Sequence, residues 1–146
     1  MLYDGGGQPI RDGLVETWQA DDSGRYPHSD NGTRQESDPE FFGYGWSRTE
    51  GDGRFRFDSI KPGSVAAPDG RFQAPHVLVS VMARGILTRY ITRMYFEDEA
   101  ANESDPILER VPAARRQTLV ARRVADGTYQ FDIRVQGPDE TVFFDV

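Results

Sequence analysis

Turn signals cut this chain into short stretches, and that punctuation limits the available folds more than any other feature. Asp4-Gly5-Gly6-Gly7-Gln8-Pro9, Thr49-Glu50-Gly51-Asp52-Gly53, Lys61-Pro62-Gly63, Ala125-Asp126-Gly127 and Gly137-Pro138-Asp139-Glu140 all place glycine where positive φ is needed, or proline where φ is preset. Between them, several stretches alternate apolar and polar residues with the period of a strand. Leu14–Gln19 sets Leu14, Glu16 and Trp18 on one face and Val15, Thr17 and Gln19 on the other, a half-buried strand in which an inward Glu16 needs a partner. Arg54–Ile60 puts Phe55, Phe57 and Ser59 opposite its arginines. His76–Ala83 is nearly all apolar and suits a strand covered on both faces. Tyr90–Phe96, Thr118–Val124, Thr128–Val135 and Thr141–Val146 complete the predicted strands, the last three joined by hairpins.

One short helix is expected within Ser104–Arg116, where Asp105-Pro106 makes a helix start. Ala20 to Trp46 lacks periodicity and reads as a long polar loop, packed through Tyr26, Phe41, Phe42, Tyr44 and Trp46. Leu2-Tyr3 reads as the end of an element whose beginning is missing. The pattern predicts one all-β domain over residues 1–146, an antiparallel β-sandwich with one short helix and long loops.

Composition excludes several functions. With no cysteine, disulfides, zinc-thiolate sites, iron–sulfur clusters and a thiol nucleophile are out. A net charge of −7 argues against a sequence-independent grip on nucleic acid or on an anionic membrane, since both need a basic surface. No apolar run approaches the ~20 residues of a membrane span and the N-terminus has no signal-peptide pattern, so a cytoplasmic protein is expected.

The titratable residues leave alternatives open. His76 starts the apolar strand after Pro75, and either faces a cavity as a ligand or hydrogen-bonds within the core. Tyr26, in Gly24-Arg25-Tyr26, is either a phenolate donor suited to ferric iron or a packed loop residue. His28 reads as a solvated surface histidine, and the acidic pairs Asp21-Asp22 and Asp38/Glu40 match no calcium loop. Gly5-Gly6-Gly7 opens no helix and cradles no phosphate. Arg115-Arg116 and Arg122-Arg123 balance acids elsewhere in the chain. Arg84 differs, because a guanidinium at the end of an apolar strand should seek a carboxylate in a cavity or at an interface.

Taken in order, Asp12-Gly13-Leu14-Val15-Glu16-Thr17-Trp18-Gln19-Ala20, Gly24-Arg25-Tyr26, Gly53-Arg54-Phe55-Arg56-Phe57, Ile60-Lys61-Pro62-Gly63, Ala74-Pro75-His76, Tyr90–Phe96 and the closing Gln136-Gly137 with Thr141–Val146 resemble the intradiol ring-cleavage dioxygenases across essentially the whole chain. In the iron-bearing chains of that family two tyrosines and two histidines hold a non-haem ferric ion. The resemblance puts these donors at Tyr26, Val65, His76 and Leu78, so valine and leucine replace two of the four. Neither can coordinate iron, and one phenolate with one imidazole lacks the charge and bond count such a site requires.

That departure is similar to the α-type chains of heteromeric members. The resemblance implies that Fe(III) is held by a β-type catalytic partner chain, with a small aromatic substrate, protocatechuate, near the interface. It also implies aromatic catabolism through the β-ketoadipate pathway, with 3-carboxy-cis,cis-muconate as product. On this expectation the metal positions here are vestigial, and Arg84 fills the vestigial cavity or steers an anionic substrate. The α-type chains carry a further N-terminal segment, so this chain reads as N-terminally short, with an unpaired edge that makes it poorly behaved alone. The competing expectation is a non-enzymatic binding module that presents the Ala20 to Trp46 loop.

Overall fold

The computed structural model describes residues 1–27 and 41–145. Among them the chain forms ten strands: β1 (Leu2–Tyr3), β2 (Leu14–Gln19), β3 (Tyr44–Arg48), β4 (Val65–Ala66), β5 (Phe72–Gln73), β6 (His76–Met82), β7 (Tyr90–Phe96), β8 (Val120–Ala125), β9 (Thr128–Gln130) and β10 (Ile133–Arg134). A four-residue helix, α1 (Ala113–Arg116), and three 3-10 turns lie between β7 and β8. The all-β expectation holds. The main sheet has six strands in the order β3-β2-β6-β7-β8-β9, and β1-β10 and β4-β5 form two small ladders.

Most pairings are antiparallel, but β7-β8 and β1-β10 run parallel. Parallel neighbours cannot share a hairpin, so residues 97–119 cross over between β7 and β8. Asp105 stabilises that crossover: its Oδ1 accepts from the backbone N–H of Ile107 at 2.9 Å and Leu108 at 2.8 Å. The expected helix start at Asp105-Pro106 therefore caps a 3-10 turn (Leu108–Arg110), and the α-helix begins only at Ala113.

One face of the main sheet carries the core. Val15 of β2, Val77, Val79 and Val81 of β6, Phe96 of β7 and Ala121 of β8 are buried there together with Leu2, Phe131 and Ile133. Each of these larger side chains contributes on the order of 1.5–3 kcal/mol by leaving water. The opposite face holds Leu14, Glu16, Trp18, Leu78, Ser80 and Arg93, all half-buried. Glu16 thus lies away from the core, and its partner is the Tyr44 hydroxyl, which donates to it at 2.9 Å.

Several expectations are corrected. Tyr44 and Trp46 belong to the edge strand β3 rather than to a loop, and with Phe42 they are exposed rather than packed; residues 28–40 of that loop reading, with His28, Asp38 and Glu40, lie outside the described residues. Arg54–Ile60 is not a strand. Its alternation does bury Phe55 and Phe57 against the core, but no neighbour offers it a ladder; Ile60 instead gives its carbonyl to Gln19 Nε2 at 2.9 Å. Thr128–Val135 breaks near Phe131, so that β9 continues the main sheet while β10 leaves it to pair with β1. Thr141–Asp145 runs extended beside β7 through single bonds, such as Phe144 N–H to the Ile91 carbonyl at 2.8 Å.

Candidate functional site

Two tight backbone contacts bring Tyr26 to the sheet. Asp21, buried to 1% exposure, accepts from Ser23 N–H and Arg25 N–H and so folds residues 21–25 into a compact turn. Gly24 sits at φ +77°, where a Cβ would meet the Ser64 carbonyl oxygen at 1.9 Å, and a Cβ on Gly63 would meet the Asp22 carbonyl oxygen at 2.3 Å. Only glycine permits this approach, and it seats the Lys61-Pro62-Gly63 segment against the turn. Lys61 anchors the segment from its other side by bridging Asp98 at 3.1 Å and Glu99 at 2.6 Å. Tyr26 then stacks on Trp18 with ring centroids 6.0 Å apart.

From there the Tyr26 hydroxyl faces His76 Nε2 at 3.5 Å, a long and weak hydrogen bond. The other imidazole nitrogen fixes the tautomer. His76 Nδ1 lies 2.8 Å from the Ala74 carbonyl, which can only accept, so Nδ1 carries the proton and Nε2 is left to accept from Tyr26. His76 is 2% exposed, and its pKa is held down at about 4, first by burial and then by the nearby Arg93 guanidinium. Burial likewise raises the Tyr26 phenol above its ordinary value, with Arg93 pulling the other way. At neutral pH both groups are uncharged.

Strand register relates the remaining positions to this pair. Leu78 lies two residues beyond His76 on the same face of β6 and directly across from Arg93 of β7. Val65 of β4 lies across from Gln73 of β5, and Gln73 Oε1 accepts from Arg93 Nη1 at 2.6 Å. Arg93 Nη1 also lies 3.5 Å from the Tyr95 hydroxyl, and the Tyr95 ring packs 5.9 Å from His76. Behind them Tyr95 donates to Asp105 Oδ1 at 3.1 Å, while Asp105 Oδ2 accepts from Ala74 N–H at 2.8 Å. The four positions named from sequence are thus linked through contacts and strand register, and Arg93, Gln73, Tyr95 and Asp105, none of them named from sequence as a site residue, supply the links. A signal for Arg93 existed: it is the one charged side chain in the apolar-aromatic strand Tyr90–Phe96.

As a metal centre this set does not fit. Of the four positions only Tyr26 and His76 carry donors, and their polar atoms already face each other, while Val65 and Leu78 offer hydrocarbon and Leu78 pairs in register with Arg93. Among the described residues no group of three or more His, Cys, Asp and Glu side chains could hold a metal ion.

Arg84 belongs elsewhere, which corrects its expected place in the vestigial cavity. It lies in the turn after β6, and the six residue steps from His76 to Met82 alone cover about 20 Å of strand. Its side chain is 87% exposed and pairs with Asp12 at 2.9 Å. There it borders an open groove of about 920 Å³ together with Arg11, Asp12, Arg89, Tyr90 and Glu140.

The chain matches the family model described as Dioxygenase over residues 1–137. It is 47% identical to the protocatechuate 3,4-dioxygenase alpha chain of Burkholderia cepacia, over 100% of this chain and 74% of that one. It is 38% identical to the beta chain of the same enzyme from Burkholderia cepacia, over 96% of this chain and 63% of that one. In fold it is similar to the dioxygenase domain of a dioxygenase carbohydrate-binding fusion protein from Streptomyces sp. SirexAA-E, with a TM-score of 0.65 and 24% identity over 93% of this chain and 75% of that one.

Proposed function

This chain belongs to the intradiol ring-cleavage dioxygenase family, and we propose that it serves there as the α-type subunit of a heteromeric protocatechuate 3,4-dioxygenase. The enzyme adds dioxygen to protocatechuate and opens the ring between its two hydroxyl-bearing carbons, giving 3-carboxy-cis,cis-muconate. The non-haem ferric ion of the family resides in a β-type partner chain, and this chain completes and shapes the site near their interface. Arg84, exposed and beside a groove, is the residue offered to the anionic substrate or to the partner.

One observation carries this reading. Tyr26 and His76 keep the mutual placement of a donor pair at 3.5 Å, while Val65 and Leu78 take the other two positions. A fold that retains half of a metal site and fills the rest with hydrocarbon is suited to support chemistry held by another chain.

The test is co-expression with a β-type homologue. The expected result is a stable complex that contains ferric iron and consumes protocatechuate, while this chain purified alone takes up no stoichiometric iron after ferric reconstitution. Stoichiometric iron in the isolated chain, or failure to co-purify with a β-type chain, overturns the reading.

A further inference from the structure

We propose that strand β3 is a docking edge for a second copy of this chain, which pairs with it antiparallel about a two-fold axis passing beside Trp46. The proposal goes beyond the reading above, because it concerns how copies of this chain meet one another and not how one meets a β-type chain.

The two edges of the main sheet are built differently. At β9 the edge is three residues long, follows a shift in the β8–β9 register, and has its Tyr129 hydroxyl tied to Asp98 at 2.9 Å. Such an edge is short and irregular, the usual protection against pairing with another chain. β3 has none of these devices. Its register with β2 is continuous from Tyr44 to Arg48 and it holds no proline. Tyr44 and Trp46 stand 52% and 61% exposed on one face, with Phe42 just before them at 75%.

The backbone of β3 is also open on its outer side. Gln19 N–H donates to the Gly43 carbonyl at 2.8 Å and Thr49 N–H to the Gly13 carbonyl at 2.9 Å, so the odd-numbered positions turn their polar groups toward β2. In an antiparallel ladder the alternate residues turn theirs away, which sends the N–H and carbonyl groups of Tyr44, Trp46 and Arg48 outward. Among the described residues no strand takes them up.

A second β3 fits this edge in one register. With Trp46 opposite its own copy, Tyr44 of each chain lies opposite Arg48 of the other, all on the exposed face. Each outward residue then exchanges main-chain bonds with its opposite, the two tryptophans pack together, and each guanidinium lies over a tyrosine ring. Shifting the axis to Arg48 would set the two arginines against each other instead. Size points the same way: three rings at these exposures offer on the order of 300–450 Å² per copy, roughly half of the ~800 Å² that each partner gives to a stable interface. The paired strands and Arg48 supply area beyond the rings. Because both copies use the same edge, the contact closes at a dimer.

Sedimentation equilibrium of the isolated chain tests the idea, with Trp46→Glu as the disrupting variant and Phe72→Glu, at an exposed phenylalanine of β5, as the control for general stickiness. A dimer is expected, weakened about tenfold or more by Trp46→Glu and unchanged by Phe72→Glu. A monomeric wild-type chain overturns the proposal, and so does equal weakening by the two variants.

Cross-linking decides the register and does not depend on how Trp46→Glu folds. The chain has no cysteine, so Tyr44→Cys and Arg48→Cys each carry a single thiol. Opposed Cα atoms about 5.5 Å apart lie within disulfide range, so oxidation of a mixture of the two variants should give a covalent mixed dimer, while either variant alone gives far less. Equal cross-linking of one variant with itself, or none in the mixture, overturns the proposal. Should Trp46→Glu abolish co-purification with the β-type chain while the wild-type chain alone is monomeric, the β-type chain occupies this edge and the proposal falls.

Discussion

Tyr95 donates its hydroxyl to Asp105 across 3.1 Å, and through that bond strand β7 is tied to the crossover that follows it. The same carboxylate, fully buried, also holds Ala74, Ile107 and Leu108 by their backbone N–H groups. It therefore fixes His76 at one remove, because Ala74 supplies the carbonyl that orients the imidazole.

Asp105→Ala leaves four donors, three of them buried, without their acceptor, and a loss of about 3–5 kcal/mol is expected. Asp105→Asn keeps one acceptor oxygen and should lose less. Urea melts of the two variants check this, and equal midpoints for Ala and wild type would remove Asp105 from the account.

His76 makes stability depend on pH. Its folded pKa of about 4 lies below the ordinary imidazole value of 6.5, so between those values the unfolded chain binds a proton that the folded chain refuses. The contribution is fully present above pH ~6.5 and is lost as pH falls toward 4, by a few kcal/mol at most. Carboxylates titrate in part of the same range, so the quantity to measure is the difference between wild type and His76→Gln. That difference should shrink steadily from pH 7 to pH 4, and a constant difference would contradict the buried neutral imidazole.

Gly24→Ala places a methyl group against the Ser64 carbonyl at a positive φ, and a cost above about 2 kcal/mol is expected. Because that contact seats Tyr26, the substitution should also disturb the Trp18–Tyr26 stack. A drop in melting temperature with a shift in tryptophan emission checks both. Gly51→Ala, where a Cβ meets nothing within 4 Å, is the control.

Arg84→Ala should leave the isolated chain within about 0.5 kcal/mol of wild type, because an exposed ion pair contributes little. Its effect is expected in the assembled enzyme, as a raised KM for protocatechuate or weaker assembly. If both were unchanged in the heteromer, Arg84 would have no part in either.

Much of this arrangement could be read from the residues, and what escaped has physical reasons. Periodicity located β2 and β7 to the residue, because each has one buried face and ordinary ladder neighbours. It misjudged Arg54–Ile60, since alternation reports which side chains are buried and says nothing about whether a neighbouring backbone is there to pair with. For β2 it took the face with Glu16 as inward, whereas Val15 is the core residue and Glu16 lies away from the core.

At the site, Tyr26 and His76 were legible as donors and Val65 and Leu78 as departures, because each occupies a motif position. Arg93 and Asp105 were not, since their roles arise from pairings about 20 and 31 residues apart in the chain. Arg84 was misplaced for a related reason: a charged residue after an apolar strand can mark a cavity or simply the exposed turn that follows, and here it is the turn.

The bond from His76 Nδ1–H to the Ala74 carbonyl has a consequence for how such a subunit is supplied. With one imidazole nitrogen satisfied by backbone and the other facing a neutral phenol, neither donor needs an ion to complete the fold. Folding of this chain is thereby uncoupled from the supply of a metal ion.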